Sequence, residues 1–425
     1  MLTLSLALRS LANRRLTSVL TVASIALSVS LLVGVETIRR GVRESFAGTI
    51  RGTDLIVAPR GSSQQILMST IFGLGAPPGA LSWSSYQRYA EHPAVGWTIP
   101  IMLGDSYYGY RVLGTTDAFF EHYRFRNDGR ATLAAGAFPE LDHDLVVGAE
   151  VADQRGLSLG SELAITHGLR GTGIMDHVEH PFRVVGILAP TFTPIDRTLF
   201  VTMEGIEAMH EGFEQGGGGV PPPEPSSGAA DAATAGGHDD HGHLLSAFLV
   251  GTRNRVETMQ LKREIDTDSV EALSAVMPAV ALTELWHSIG FAEDGARLIS
   301  FAVLLVGLLG MLVSLYSTLQ ERRREMAILR SLGAGPGRIA ALLVFESGLL
   351  SALGAVAGVL LVYGVLLVGG GIAERHFGLF IPITAPGRLE WLYLGGVVVA
   401  GVLVGLVPAW RAYRNTLQDG LTIRL

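Results

Sequence analysis

The chain has 425 residues, 48% of them hydrophobic and only 17% charged, where soluble globular proteins carry roughly 25% charge. A formal net charge of −7 gives no electrostatic footing for nucleic acid, and the absence of cysteine excludes a disulfide framework, a thiolate metal site and a Cys nucleophile. The single lysine, Lys262, follows Leu261 rather than a glycine. These residues therefore contain no Gly-Lys-Ser/Thr phosphate loop, and the chain cannot be a P-loop ATPase on its own.

In chain order, the first element is an uncharged apolar run over residues 16–35. About 20 such residues cross a bilayer as a helix. The run exceeds the roughly 7–15 residues of a signal-peptide core and no clear small-x-small cleavage site follows it, so it reads as an uncleaved span. Three more runs of this kind cover residues 298–319, about 339–368 (interrupted by Glu346) and 391–410. Between the first and second spans, residues 38–296 form one long insertion.

Within the insertion, the runs 55–58, 95–103, 145–147, 182–188, 198–202 and 247–250 read as short strands. Helices are expected to start at Ser82, Thr116 and Met203, with Ser82 and Thr116 capping. Gly160-Ser161 is a turn that leads into a further strand. Val42, Phe46 and Ile50 share one helical face, as do Leu282, Leu285, Ile289 and Ala292. These are either stalks that continue the first two spans outward or ordinary helix-to-core packing. Residues 214–243, rich in Gly, Pro, Ser and Ala, cannot bury a core and are expected to be a disordered loop. The fold class is thus an α-helical membrane protein with four transmembrane helices and a large α/β domain between helices 1 and 2. The divisions are 1–37, 38–296 and 297–425.

Arginine placement gives the orientation. Arg9, Arg14 and Arg15 precede the first span, Arg322, Arg323, Arg324, Arg330 and Arg338 lie between the second and third, and Arg411, Arg414 and Arg424 follow the fourth. The loop between the third and fourth spans holds only Arg375 and Arg388. Both termini are therefore expected in the cytoplasm and the insertion outside. Arg39, Arg40 and Arg43, on the outer side, weaken that contrast.

Two histidine-bearing groups are candidate metal sites. His238, Asp240, His241 and His243 cluster at the end of the 214–243 loop, and imidazole with carboxylate suits Zn, Ni or Cu(II). His177, Glu179 and His180 form a second, looser group. Neither has a catalytic zinc spacing, and either can be a solvated linker or surface hairpin instead. Glu346 is an ionisable group inside the third span. That is costly and is explained either by snorkelling toward Arg338 or by a polar contact across a dimer. Gly354-Ala-Val-Ala-Gly358 has the small-xxx-small spacing of closely packed helices.

The most specific sequence is Glu321-Arg-Arg-Arg-Glu-Met-Ala-Ile-Leu-Arg-Ser-Leu-Gly-Ala334, which reads as a short amphipathic helix over 321–333, with Gly333 suited to a C-cap and Pro336 opening the next helix. This stretch resembles the hallmark of FtsX/MacB-like ABC transporter permeases, followed as in that family by a Glu in the next helix, here Glu346. Asn13-Arg-Arg-Leu-Thr before the first span and Pro408-Ala-Trp-Arg-Ala-Tyr-Arg after the fourth extend the likeness, as does the plan of one span, an outer domain and three spans. The resemblance implies a permease subunit with no catalysis and no intrinsic cofactor, serving a separate ABC ATPase that binds ATP. Two ATPase copies would dock through Arg324, Glu325, Met326, Leu329, Arg330 and Gly333. It also implies a homodimer in a bacterial inner membrane, surrounded by lipid, that transmits ATP-driven motion to a periplasmic domain. Gly52-Thr-Asp-Leu-Ile-Val-Ala and Val185-Gly-Ile-Leu-Ala-Pro-Thr resemble a subgroup of unfused permeases, some associated with His-rich extracytoplasmic proteins and zinc limitation. Zinc-linked transport with a periplasmic carrier protein is therefore one expectation. Export or extraction of a lipoprotein, peptide or small hydrophobe, or FtsX-like signalling to cell-wall enzymes, is the alternative.

Overall fold

A computed structural model describes residues 15–126, 128–167, 181–215, 244–321, 335–377 and 385–419. The chain divides into two compact units, Met1–Arg43 with Ile289–Leu425, and Glu44–Ser288. In chain order, the elements are α1 Arg15–Thr49, β1 Leu55–Pro59, α2 Ser63–Thr70, β2 Leu81–Ser82, α3 Trp83–Ala90, β3 Val95–Tyr107, β4 Tyr110–Thr115, α4 Ala118–His122, β5 Arg124–Phe125, β6 Gly129–Arg130, β7 Leu133–Gly136, β8 Asp144–Val147 and α5 Ala149–Arg155. There follow β9 Glu162–Leu163, β10 Thr166–His167, β11 Phe182–Leu188, a 3₁₀ turn Pro194–Arg197, β12 Thr198–Thr202, α6 Met203–Gln215, β13 Leu244–Leu245, β14 Ala247–Thr252, α7 Arg255–Asp266 and β15 Leu273–Val276. The last three helices are α8 Pro278–Glu321, α9 Pro336–Phe377 and α10 Arg388–Asp419.

The inserted unit is built on one mixed sheet in the order β15-β1-β14-β3-β4-β12-β8-β11-β7, antiparallel except where β12 pairs with β4 and β11 with β8. Its central strands are apolar on both faces. In β1, Leu55 and Val57 point into one core while Ile56 and Ala58 point into the other, and β8, β12 and β14 alternate in the same way. A strand covered on both sides needs a continuous hydrophobic run, which is what made these strands readable in the sequence. One face is covered by α3, α5, α6 and α7 through Tyr89, Val151, Ile206 and Leu261. The other is covered by α2 and α4, together with Ile50 after α1 and Ala281 and Leu282 at the start of α8.

That second core decides the fate of the two amphipathic faces. Phe46 stacks on Phe72 at 4.7 Å and meets the Trp286 ring edge-on at 5.6 Å. Ile50 and Leu282 are buried, whereas Ile289 and Ala292 are exposed, so the expected four-residue face on α8 ends at Leu285. The last carbonyls of α1, which have no helical partners, are taken up inside this unit. The Tyr123 hydroxyl donates to Thr49 O at 2.7 Å and Arg126 N donates to Gly48 O at 2.6 Å. Ser82 caps α3 as expected, by accepting from Ser85 N. Thr116 does not cap α4: the N-cap is Asp117, and no side chain bonds there. Instead the Thr116 carbonyl accepts from Phe119 N. Helix α6 runs to Gln215, so the first two positions of the expected loop are helical, and residues 216–243 lie outside the described part.

Among the described residues, four helices are long and apolar enough to cross a bilayer: Arg15–Thr49, Pro278–Ser317, Pro336–Gly370 and Arg388–Arg414. Lipid tails are as apolar as leucine, so close backbone approach rather than hydrophobicity selects their partners. The Gly354/Gly358 motif is spent inside the chain. A methyl on Gly354 would lie 2.6 Å from Ile25 Cγ2, and one on Gly358 2.7 Å from Ala26 O, so α9 packs backbone-close on α1. Helices α9 and α10 approach as tightly: a methyl on Gly401 would lie 1.8 Å from Ser351 Oγ, and one on Gly405 1.9 Å from Ser347 Oγ.

Glycine tolerance is a direct check on the packing of the sheet. A methyl on Gly251 of β14 would lie 2.1 Å from the Trp97 ring, while one on Gly104 meets nothing within 4 Å. Gly251→Ala is expected to cost about 2 kcal/mol and Gly104→Ala less than about 0.5 kcal/mol, read as shifts in unfolding of the detergent-solubilised chain.

Candidate coupling site in the membrane unit

The described residues place a compact charged network where α1, α8 and α10 meet. Its deepest member is Glu390, which is only 2% exposed. Glu390 is the third residue of α10 and accepts from Gly387 N, so it closes the helix start from within, like the acidic half of a capping box. The Arg40 guanidinium of α1 pairs with the same carboxylate, and the Thr37 hydroxyl lies 3.2 Å from it. Tyr363 brings α9 within electrostatic reach of both Glu390 and Arg40.

From the same turn of α1, the chain of charges continues on to α8. Glu36, 5% exposed, is paired with Arg39. Arg39 also reaches Glu293 of α8 at 3.5 Å. Arg43 grips Glu293 with two contacts, at 2.7 and 3.2 Å. Arg297 lies 3.9 Å from Glu36 and 2.9 Å from Asp294. Four arginines (39, 40, 43 and 297) thus face four carboxylates (Glu36, Glu293, Asp294 and Glu390), and the cluster is neutral as a whole. Guanidinium forks suit this role because they stay charged and bond in fixed planes.

The aromatic residues of α10 give the network its depth in the membrane. Trp391 and Trp410 are 63% and 65% exposed. Nineteen residues of helix separate them by about 28 Å, close to the roughly 30 Å of a hydrocarbon core, with Trp rings preferring its two boundaries. Glu390, next to Trp391, therefore sits at a boundary, where buried charges are affordable only if paired.

Arg39, Arg40 and Arg43, which weakened the contrast in arginine placement, are each a member of an ion pair that holds helices together. Their partners were missed in the sequence because Glu293 and Glu390 lie 250 and 350 residues further along. The available signals were local, namely Glu36 three residues before Arg39 and an acidic residue directly before the apolar run at Trp391. Glu346 is described and is 3% exposed, enclosed by its own chain on α9. Such burial argues against a polar contact offered to a second copy. Arg324, Glu325, Met326, Leu329, Arg330 and Gly333 lie outside the described residues, as do His177, Glu179, His180, His238, Asp240, His241 and His243. Among the described residues, no group of three or more His, Asp or Glu side chains is arranged to hold a metal ion.

Removing Arg40 would leave the enclosed Glu390 carboxylate without its main counter-charge. Arg40→Ala is expected to cost about 2 kcal/mol, and a double-mutant cycle with Glu390→Ala to return a coupling energy of about 2 kcal/mol. Thermal unfolding of the detergent-solubilised chain and its variants measures both. Additive losses would show that the pair holds nothing.

Comparison with known proteins accounts for both units. Residues 297–417 match the FtsX-like permease C-terminal family, and residues 18–235 match the MacB-like periplasmic core domain. The chain is 30% identical, over 155 residues, to an uncharacterized ABC transporter permease of Methanocaldococcus jannaschii, covering 36% of this chain and 37% of that one. It is 33% identical, over 111 residues, to the macrolide export ATP-binding/permease protein MacB of Nitrobacter winogradskyi, covering 26% of this chain and 16% of that one. Among solved structures, the extracellular domain of the ABC-type transporter YknZ from Gram-positive bacteria superposes with a TM-score of 0.30 at 9% identity, covering 53% of this chain and 99% of that one. The periplasmic region of MacB from Actinobacillus actinomycetemcomitans gives 0.33 at 11% identity, covering 58% of this chain and 94% of that one. With its C-terminal membrane helices matching one family and the first span and inserted domain matching the other, the chain belongs to the FtsX/MacB-like ABC transporter permeases.

Proposed function

We propose that this permease works with a separate ABC ATPase and passes the motion of that ATPase to its inserted domain, without chemistry of its own. The observation that carries the reading is the neutral charged network, which ties α1 and α8, the helices leading into and out of the inserted domain, to each other, and α1 to α10. Helices joined in this way move as a set, so a displacement applied at one of them reaches the others. The ATPase contact falls to the short amphipathic segment 321–333, through Arg324, Glu325, Met326, Leu329, Arg330 and Gly333. That segment joins α8 to α9, so a push on it acts on both helices. Two copies of the chain and two ATPases, with termini and segment 321–333 in the cytoplasm of a bacterial inner membrane and the inserted domain in the periplasm, complete the proposal.

For cargo, the proposal is metal-linked transport, resting on the cluster His238, Asp240, His241 and His243, with His177, Glu179 and His180 as a secondary group and a periplasmic protein as metal carrier. Zinc titration of the full chain by calorimetry should give micromolar binding that vanishes when residues 236–243 are deleted. Unchanged heat on deletion would turn the search toward a lipoprotein, peptide or small-hydrophobe cargo while leaving the permease reading intact.

The coupling itself is tested in proteoliposomes that hold the chain and its ATPase. Glu325→Ala or Met326→Ala should abolish stimulation of ATP hydrolysis by the permease, with the unfolding temperature unchanged. Arg40→Ala should leave hydrolysis in place and lower transport. Full stimulation in both segment variants would overturn the assignment of the ATPase contact.

A further inference from the structure

The membrane unit carries an apolar groove of about 960 Å³ between α9 and α10. It exists because Ala341, Gly348 and Ala352 on α9 and Ala409 on α10 are too small to fill the seam, and no charged side chain lines it. One end of the groove closes on Trp410 and Tyr413. Three arginines gather at that end. Arg414 lies over the Trp410 ring at 5.3 Å, Arg411 lies over the Tyr316 ring at 4.9 Å, and exposed Arg338 precedes the lining residue Ala340 by two positions. Among the described residues, no carboxylate pairs with any of the three.

The length of the groove selects its occupant. From Ala340 to Ala352 the helix rises about 18 Å, which matches the roughly 15 Å hydrocarbon depth of one leaflet. A helix from a second copy would seek contact over the whole membrane thickness, about twice that length. The charge agrees: a basic rim at the membrane boundary, above a groove one leaflet deep, fits an anionic head group with its acyl chain below. Guanidinium forks bond phosphate oxygens in pairs, which a choline head group would oppose with its own cation.

We propose that an anionic phospholipid sits in this groove, with its acyl chain along the α9–α10 seam and its phosphate at Arg338 and Arg414. The site rests on side chains of the membrane unit alone and does not depend on the coupling role proposed above.

The test uses the purified full-length chain, equilibrated with phosphatidylglycerol or phosphatidylcholine, with retained lipid counted by native mass spectrometry. Phosphatidylglycerol should be retained in preference, and Arg338→Gln and Arg414→Gln should each reduce that preference about fivefold. Ala341→Leu with Ala352→Leu, which fills the groove, should abolish retention while both arginines remain. Equal retention of the two lipids, or retention unaffected by filling the groove, overturns the proposal. So does a filled groove that dissociates a dimer and leaves lipid retention intact, which would make a second copy the occupant. Should the filled variant fail to fold, quenching decides in the native chain. Brominated phosphatidylglycerol should quench the fluorescence lost on Trp410→Phe more than brominated phosphatidylcholine does, and equal quenching overturns the proposal.

Discussion

A carboxylate enclosed at the edge of a membrane cannot stand alone, and the end of the membrane unit around Glu390 is organised by that constraint. At 2% exposure its desolvation costs several kcal/mol, recovered only through bonds of good geometry. Arg40 from α1 and Gly387 N from the start of its own helix meet that need, with the Thr37 hydroxyl, which also donates to Val33 O at 2.8 Å, close by at 3.2 Å. Satisfying Glu390 fixes the beginning of α10 against the turn of α1 that carries Thr37 and Arg40. The same turn carries Glu36 and Arg39, whose bonds run on to Glu293 and Arg297 of α8. One buried acid thus sets the mutual register of three helices.

Register needs such a device because hydrophobic contact inside a bilayer does not supply it. Sliding α1 by one turn along α9 would cost little in apolar area, yet it would drive side chains into the backbone at Gly354 and Gly358, where there is no room for a methyl. The same slide would pull Arg40 away from Glu390. Steric fit in the middle of the helices and ion pairing at one end therefore select the same arrangement. The α9–α10 seam follows the rule as well, with Ser347 and Ser351 filling the space left by Gly405 and Gly401. Where small residues face each other without such filling, the seam opens into the groove of about 960 Å³.

What the sequence conveyed follows the range of each interaction. The spans were legible because twenty apolar residues in a row have few other uses, and β1, β8, β11, β12 and β14 because each is a short run of apolar, largely β-branched residues. Strand β15, Leu-Ser-Ala-Val, is too brief and too small to stand out, yet it completes the sheet beside β1. Helix α7 was missed because only Thr258, Leu261 and Ile265 face inward among mostly polar neighbours. Thr116 looked like a cap by residue type alone, but the chain turns one residue later, at Asp117. The Gly354/Gly358 spacing announced a close approach and could not name the partner, which proved to be α1 of the same chain. The charged network was the least legible part. Each of its carboxylates is ordinary in its local sequence, and only folding brings Glu293 and Glu390 to arginines hundreds of residues earlier.

The two ends of the membrane unit employ arginine in opposite ways, and this gives physical content to the bias first read from arginine counts. Where α10 begins, Arg39, Arg40, Arg43 and Arg297 are balanced by carboxylates, so the network itself presents little net charge, and of the arginines there Arg388, the first residue of α10, stands exposed beside it. Where α10 finishes, Arg411 and Arg414 rest on aromatic rings, and Arg338 stands exposed at the start of α9. The first set holds helices to one another, because a buried acid pays for each guanidinium. The second keeps its charge for whatever lies beyond the protein surface, and an aromatic face orients a guanidinium without neutralising it. A count of arginines treats both sets alike. The difference lies in the counter-ion, which is a carboxylate of the chain at one end and, among the described residues, is lacking at the other.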